Sequence, residues 1–576
     1  MIKPKKSLEN IKAYEVPLFE KDWDVKIDSN ENLFGPSSKV LDAIKNVTVK
    51  DIQLYPFYGE ITQKIAEYVG FETDNIKVTN GADEAIYSIF QTYLDVEDIV
   101  LTVKPTFAMP VVYSKILGAE LIEVPYSKKW EFPIEAFLKE INNPKIKIVH
   151  LTTPNNPTGE TISEENILKI INSSKDKVIL IDETYGNYCN SNYKKFVNEF
   201  DNVFIVKSFS KDFALAGLRL GYIISNSENI KTIKSVVSPF SVNGIAVKAG
   251  MAALEDVEYF EKIKVEIEKS KKILKSGFEQ LGAVVYPSSA NFLCVDFKEK
   301  ASFVHRKLKE NDVIVKKFAT PELEGFLRVT APKPQDAQKV LDFLKTKKTL
   351  AFDMDGVLID AGKSYRLAIK KTFEFFSNKD ISFDKIQQVK NQGGLNNDWD
   401  LTEYLLKSEG INIEKKDIIE KFQDFYWDNG KGFINNEDLL IDKQKLEQLS
   451  KDYNLAIFTG RPKQEAIFAL EKNGILDYFY PIITMDDLPL DKQKPHTLGL
   501  EKIKTQVITD SMCYFGDTID DIICAKNSNT SPIAVLPPQD KSQELTENLV
   551  QKGAIIVLDN INEISKALEI NYEMQL

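Results

Sequence analysis

Short apolar runs alternate with amphipathic stretches along almost the whole chain. In the first part they are IKIVHLTTP (146–154), KVILIDE (177–183) and NVFIVKSFS (202–210); later come TLAFDMDG (349–356), NLAIFTG (454–460) and CYFGD (513–517). Each has the length of a buried strand, and each ends in a polar or glycine-containing turn. Strands of a parallel sheet end this way where they deliver side chains to a crevice. Between them lie segments with helical spacing, such as SYRLAIKKTFEFF (364–376). No short-period repeat or low-complexity tract interrupts the pattern, which predicts an α/β architecture throughout.

A chain of 576 residues is too long for one hydrophobic core. The best boundary follows the helix-like segment from Ala337 to Leu344, which runs into the basic string KTKK before a new apolar strand starts at Leu350. The expected domains are therefore 1–347 and 348–576.

Composition narrows the function classes. With 43% hydrophobic and 28% charged residues, this is ordinary soluble globular protein. A net charge of -12 argues against nucleic acid as the main partner, because a phosphate backbone demands a basic face. It leaves room for small phosphorylated ligands, which need only a local cluster of donors. The start, MIKPKKSLENIKAYE, has basic residues without an apolar segment behind them, and no apolar run is long enough for a bilayer. A cytoplasmic protein that does not engage membranes is expected. Cys189, Cys294, Cys513 and Cys524 have no CxxC spacing and read as buried free thiols. With 3 histidines, any metal must be held by carboxylates, which favours Mg2+ over zinc.

The segment SFSKDFALAGLRLGY puts Lys211 in a Ser/Gly-rich turn after an apolar strand, with Arg219 further on. Upstream, Asp182 ends the strand of VILIDETYGNY, Tyr185 follows it, and Asn156 lies in the Pro-bracketed turn of TTPNNPTGE. As an ordered set these residues fit pyridoxal 5'-phosphate chemistry. Lys211 would form the imine with the coenzyme aldehyde and later carry the substrate proton. Asp182 would keep the pyridine nitrogen protonated, and Asn156 and Tyr185 would bond the phenolate oxygen. The helix that NGADEA starts offers free N–H groups at Gly81, Ala82 and Asp83 to the coenzyme phosphate, with Ser208, Ser210 and Arg219 completing the cup. Phe107 in KPTFAMP is placed to lie on the ring face.

These motifs resemble fold-type I aminotransferases, most closely the histidinol-phosphate aminotransferase family. The likeness runs over about residues 7–347, from SNENLFGPS through LYP, NGADE, PNNPTG, DETY, SPFSVN and ANFL to FLRVT. It implies a large α/β domain over about 45–240 and a small α+β domain drawn from both ends. It also implies a homodimer in which Tyr55 reaches the coenzyme phosphate of the neighbouring subunit. Arg328 would grip the carboxylate of glutamate and the phosphate of the other substrate in turn, and Asn32 belongs to the same substrate region. Three features depart from the family: Lys316 in place of an arginine, Leu33 in place of a proline, and VTAPKPQ in place of a turn with glycine. Lysine supplies a point charge but no bidentate fork.

In the second half, Asp353 and Asp355 end an apolar strand and face one side of it. One carboxylate can attack phosphorus while the other serves as general acid and base. Thr459 ends a second strand, Lys494 follows in DKQKPH, and CYFGDTIDDI supplies Asp517 and Asp521. Asp353, Asp517, Asp521 and the Asp355 main-chain carbonyl suit a magnesium ion. The set resembles the haloacid dehalogenase superfamily over roughly 349–565, a Rossmann-like fold, and the paired aspartates favour its phosphatases. A helical cap over about 365–440 is expected, with Asn396, Asn397 and Trp399 as candidate substrate contacts or, equally, as the start of an amphipathic helix.

The joint expectation is a bifunctional enzyme. It would transaminate a phosphorylated ketone, R–CO–CH2–O–phosphate, with glutamate and then hydrolyse the resulting amino-alcohol phosphate, histidinol phosphate first among the candidates. Two alternatives stand beside it. One is dihydroxyacetone phosphate passing through serinol phosphate to serinol. The other is a decarboxylase of a phosphorylated amino acid, its second half acting as a phosphatase or as a phosphate-binding regulatory module.

Overall fold

The computed structural model describes residues 5–8, 22–127, 129–390 and 397–573. The chain divides into two compact units, Met1–Leu344 and Lys345–Leu576.

The first unit is built on a seven-stranded sheet. Its order is Ile76–Thr79, Gly221–Ile224, Val203–Ser208, Val178–Asp182, Ile146–Thr152, Ile99–Lys104, Glu120–Pro125. All strands are parallel except Gly221–Ile224, which runs against both its neighbours. Both faces are covered. Val149, Leu151, Ile179, Ile181 and Ile205 enter one apolar cluster, while Ile148, Leu180, Phe204 and Val206 enter another. The period of two thus sends alternate residues of one run to opposite faces, and this is why these strands read as continuous apolar segments.

A second, mixed sheet has the order Val25–Ile27, Val313–Lys317, Phe326–Thr330, Phe292–Asp296, Val284–Val285. It joins the start of the unit to its end, Val25–Ile27 pairing parallel to Val313–Lys317. That pairing sets residues 28–32 beside the strand that carries Arg328. The helices Val257–Gln280 and Pro334–Asp342 pack together next to it.

The second unit has a six-stranded parallel sheet, ordered Ile482–Ile483, Asn454–Phe458, Thr349–Phe352, Met512–Gly516, Ser531–Val535, Ile556–Leu558. After Thr349–Phe352 the chain leaves through a two-stranded ribbon, Ile359–Asp360 paired with Asp438–Leu439. Between the ribbon strands lie the helices Tyr365–Ser377, Phe383–Lys390, Asp398–Ser408 and Lys415–Tyr426. They bury their own apolar cluster around Ile369, Leu405, Ile418 and Phe422, separate from the one over the sheet.

All four cysteines are free; Cys294, Cys513 and Cys524 are buried, but Cys189 is only half-buried, against expectation. Cys189 follows a short turn after Tyr185 rather than lying in a strand or helix. Among the described residues, no helix is long and apolar enough to cross a membrane.

Candidate active sites

In the first unit the crevice lies at the carboxyl ends of the parallel strands. Lys211, in the turn after Val203–Ser208, donates from Nζ to the Ser29 main-chain oxygen at 2.8 Å. Burial, joined by the nearby charges of Arg328 and Arg219, pushes its ammonium down to about 8. Asp182 closes its strand and is buried. Its Oδ1 accepts from the Thr184 N–H at 2.9 Å and hydroxyl at 2.7 Å. Burial still outweighs these bonds and pushes the carboxyl up to about 6. An amine made easy to deprotonate and a carboxylate in need of a positive partner are what a pyridine aldehyde would meet.

The phosphate cup draws on three stretches of chain. Arg219, at φ 58, donates to Ser210 Oγ at 3.2 Å and to Asp83 Oδ2 at 2.9 Å. The Ser210 N–H donates to Ser208 Oγ at 3.1 Å. The helix Gly81–Tyr93 begins beside them, and its first N–H groups, those of Gly81, Ala82 and Asp83, have no partner within the helix. Gly81 sits at φ 77, and a Cβ there would lie 2.6 Å from the Arg219 guanidinium. Gly221 packs its backbone onto this helix start, where a Cβ would lie 2.6 Å from the Gly81 carbonyl carbon. A side chain at Gly81 would crowd the Arg219 guanidinium, and the hydroxyl, N–H and guanidinium donors gathered here suit the coenzyme phosphate.

Arg328 donates to Asn156 Oδ1 at 2.6 Å and to the Asp28 main-chain oxygen. Lys316 lies directly across the strand pair from it, half-buried and pushed below its usual range by burial and by Arg328. Tyr185 accepts from Asn30 Nδ2 at 2.9 Å. Asn32 Nδ2 donates to the Asp212 main-chain oxygen at 2.8 Å, holding the chain just beyond Lys211. Phe107 caps the helix Ala108–Leu117. Tyr55 lies on the surface, 77% exposed, with its ring stacked on Phe240 at 4.3 Å.

The second unit gathers its carboxylates at the end of the central strand. The Asp353 N–H bonds to the Phe515 main-chain oxygen at 2.8 Å, which fixes it between the two strand ends. Lys494 Nζ bridges Asp353 Oδ1 at 2.7 Å and Asp521 Oδ1 at 2.8 Å. One oxygen from each of Asp353, Asp517 and Asp521 falls within 4.8 Å of the others. Burial pushes Asp353 up to about 7 in spite of Lys494. Burial and then the Asp353 and Asp521 charges push Asp517 well above the usual carboxylate range. Lys494 bridges two of the three carboxylates and Lys390 acts on the half-buried third, Asp517; an all-oxygen donor set of this kind fits a hard divalent cation.

Asp355 lines the same pocket as Asp353 and Asp517 but stands apart from the three carboxylates. Its carboxylate is held by Arg461, with Nε 3.0 Å from Oδ1 and 3.2 Å from Oδ2. Thr459 is buried at the end of Asn454–Phe458, its Oγ1 accepting from the Arg461 N–H at 3.2 Å. Over these groups opens a pocket of about 590 Å³, mouth included, into which the helical insertion presents Tyr365, Lys390, Asn397, Asp398 and Trp399. Asn397 caps the helix Asp398–Ser408, so it serves as cap and pocket wall at once. Asn396 lies outside the described residues.

Asn30, Arg461 and Glu437 belong to the sites without any local sequence pattern that marks them. Asn30 stands inside SNENLFGPS and Arg461 two residues beyond Thr459, but the partners that give them meaning are far away in the chain.

Comparison with known proteins agrees with this geometry. Residues 24–344 match aminotransferase class I and II, and residues 350–535 match haloacid dehalogenase-like hydrolase. A histidinol-phosphate aminotransferase of Thermoanaerobacter sp. (strain X514) is 33% identical over 344 residues, covering 59% of this chain and 96% of that protein. Histidinol-phosphate aminotransferase 2 of Archaeoglobus fulgidus is 32% identical over 343 residues, covering 58% and 97%. The crystal structure of histidinol-phosphate aminotransferase from Sinorhizobium meliloti, in complex with pyridoxal-5'-phosphate, shares the fold at a TM-score of 0.53 and 22% identity, over 56% of this chain and 90% of that one. The chain is an enzyme that belongs to the class I and II aminotransferases, a pyridoxal-phosphate family, with a stretch that matches haloacid dehalogenase-like hydrolase following on the same polypeptide.

Proposed function

We propose that the protein transaminates a phosphorylated ketone, R–CO–CH2–O–phosphate, with glutamate and then hydrolyses the amino-alcohol phosphate. Histidinol phosphate is the product we favour. The observation that carries this reading is the pair of cations facing each other across one strand pair, Arg328 and Lys316. They stand ready for an anionic substrate group at the edge of the coenzyme cradle.

In the first unit the bound coenzyme supplies an aldehyde and an electron-withdrawing ring. Lys211 presents a nitrogen whose ammonium is pushed down to about 8, and so can take the substrate's Cα proton and hold it for return. Asp182 would hold a proton on the ring nitrogen, and Asn30 orients the Tyr185 hydroxyl. In the second unit Asp353 attacks phosphorus, and the P–O bond to the alcohol breaks as Asp355 gives the alkoxide its proton. Water then attacks the phosphorylated Asp353, Asp355 takes the water proton, and inorganic phosphate leaves. Lys494 neutralises charge on the transferred group, and the Thr459 hydroxyl donates to one of its oxygens. Asp353, Asp517, Asp521 and the Asp355 carbonyl would hold Mg2+.

Val49, Ile52, Leu54, Tyr55 and Phe57 are all 60% or more exposed. Such a run of surface apolar residues supports a homodimer through the aminotransferase unit; light scattering that returned a monomer mass would count against it.

The test is a panel of phosphorylated ketones supplied with glutamate, reading 2-oxoglutarate and inorganic phosphate together. The proposal expects both from at least one ketone. Carbon dioxide released without any need for glutamate would overturn it in favour of a decarboxylase.

A further inference from the structure

We propose that Arg461, braced by Glu437, is a positioning residue that aims the Asp355 carboxyl at the leaving oxygen of the phosphomonoester. The inference rests on the reading of Asp355 as general acid and base.

Arg461 is 1% exposed, and its guanidinium is divided between two carboxylates. Nε and Nη2 hold Asp355. Nη1 and Nη2 hold Glu437 in a fork, at 2.9 Å to Oε2 and 3.0 Å to Oε1. Glu437 is itself pinned, its Oε1 accepting from the Ser364 hydroxyl at 2.7 Å and the Tyr426 hydroxyl at 3.1 Å. The Tyr365 ring lies 5.0 Å from the guanidinium carbon. A buried arginine forked onto a carboxylate that Ser364 and Tyr426 also hold has little freedom left, so its remaining N–H groups present Asp355 in one orientation.

The location gives this a purpose. Asp355 follows the central strand, Arg461 sits on the loop after the neighbouring strand, and Ser364 and Glu437 lie at the two crossings between the sheet and the helical insertion. The acid is therefore referenced to the sheet and to the joint of the insertion together. General acid catalysis depends on placing the proton within hydrogen-bond reach of the departing oxygen. An aspartate that is 28% exposed and lacked this clamp would sample other rotamers.

The experiment uses the full chain with Mg2+ and compares an alkyl phosphate with p-nitrophenyl phosphate. Loss of nitrophenolate needs no proton, whereas loss of an alkoxide does. Water attack on phosphorylated Asp353 needs Asp355 in both cases. For Glu437→Gln and Arg461→Lys we expect alkyl phosphate turnover to fall about 100-fold. The rapid release of one nitrophenolate per site should persist within about 3-fold of wild type, followed by slow turnover. Unchanged transamination and melting behaviour in the same samples show that the chain is folded. A burst lost in step with turnover would make Arg461 merely structural and overturn the proposal; unchanged alkyl phosphate turnover would overturn it as well. Asp355→Asn is the control. If it lacks the split, the reading of Asp355 falls and takes the proposal with it. If it shows the split while Glu437→Gln and Arg461→Lys do not, only the positioning role fails.

Discussion

Burial acts in opposite senses on the two ends of the coenzyme cradle, lowering Lys211 to about 8 and raising Asp182 to about 6. The folded-state value of Asp182 exceeds its unfolded one, so the folded apo-protein holds the extra proton between the ordinary carboxylate range and about pH 6. Its stability therefore declines as pH rises through that window, and above it the ionised carboxylate costs up to about 3 kcal/mol. Asp182→Asn should accordingly raise the melting temperature of coenzyme-free protein at pH 7.5 while weakening coenzyme retention by at least about 10-fold. A lower melting temperature would contradict the account. In the phosphatase site, burial raises Asp353 to about 7, and burial with the neighbouring carboxylates raises Asp517 well above the usual carboxylate range. Protons must leave before a cation can bind. Mg2+ affinity, measured calorimetrically, should strengthen by roughly 10-fold or more from pH 6 to pH 8; a flat profile would count against these ligands. Lys211, Asp182, Asp353 and Asp517 could be picked out in the sequence because each follows an apolar run at a strand end. Arg461 could not, because its partners Asp355 and Glu437 lie 106 and 24 residues away and no local spacing announces them.

Among the elements, the parallel strands of both units were the readable part. Runs such as VILID and LAIF are apolar at successive positions because each strand is covered on both faces. The mixed sheet of the first unit was not readable in this way. Val25–Ile27 pairs with Val313–Lys317, and a pairing of three-residue length across most of the unit leaves no periodic signature. The insertion in the second unit was legible as helical spacing, while its ribbon of two-residue strands was not. One element contact offers a sharp check. Gly221 lies against the start of the helix Gly81–Tyr93, where an added Cβ would meet the Gly81 carbonyl carbon at 2.6 Å and the Ala82 nitrogen at 2.9 Å. Both are backbone atoms at the phosphate cup, so they cannot give as a side-chain tip would. Gly221→Ala should cost about 1–3 kcal/mol in stability and loosen the coenzyme, read by thermal melting and by coenzyme absorbance after dialysis. Wild-type values for both would show that the contact is not tight.

For the whole molecule, the account makes two active sites chemically consecutive: the phosphate group that the first recognises is the group that the second removes. The two sites share no residue, so each should be silenced alone. Lys211→Ala should stop transamination and leave phosphomonoester hydrolysis intact, and Asp353→Asn should do the reverse. What stays least legible at this scale is the ketone's remaining group, because Lys316, Leu33 and the VTAPKPQ turn all depart from the family in the substrate region. The most direct measurement follows phosphorus by NMR in full-length protein given Mg2+, glutamate and the phosphorylated imidazole ketone. The account predicts an amino-alcohol phosphate that appears and gives way to inorganic phosphate in the wild type but accumulates in Asp353→Asn. Inorganic phosphate released at the same rate without glutamate, or an intermediate that still disappears in Asp353→Asn, would contradict it.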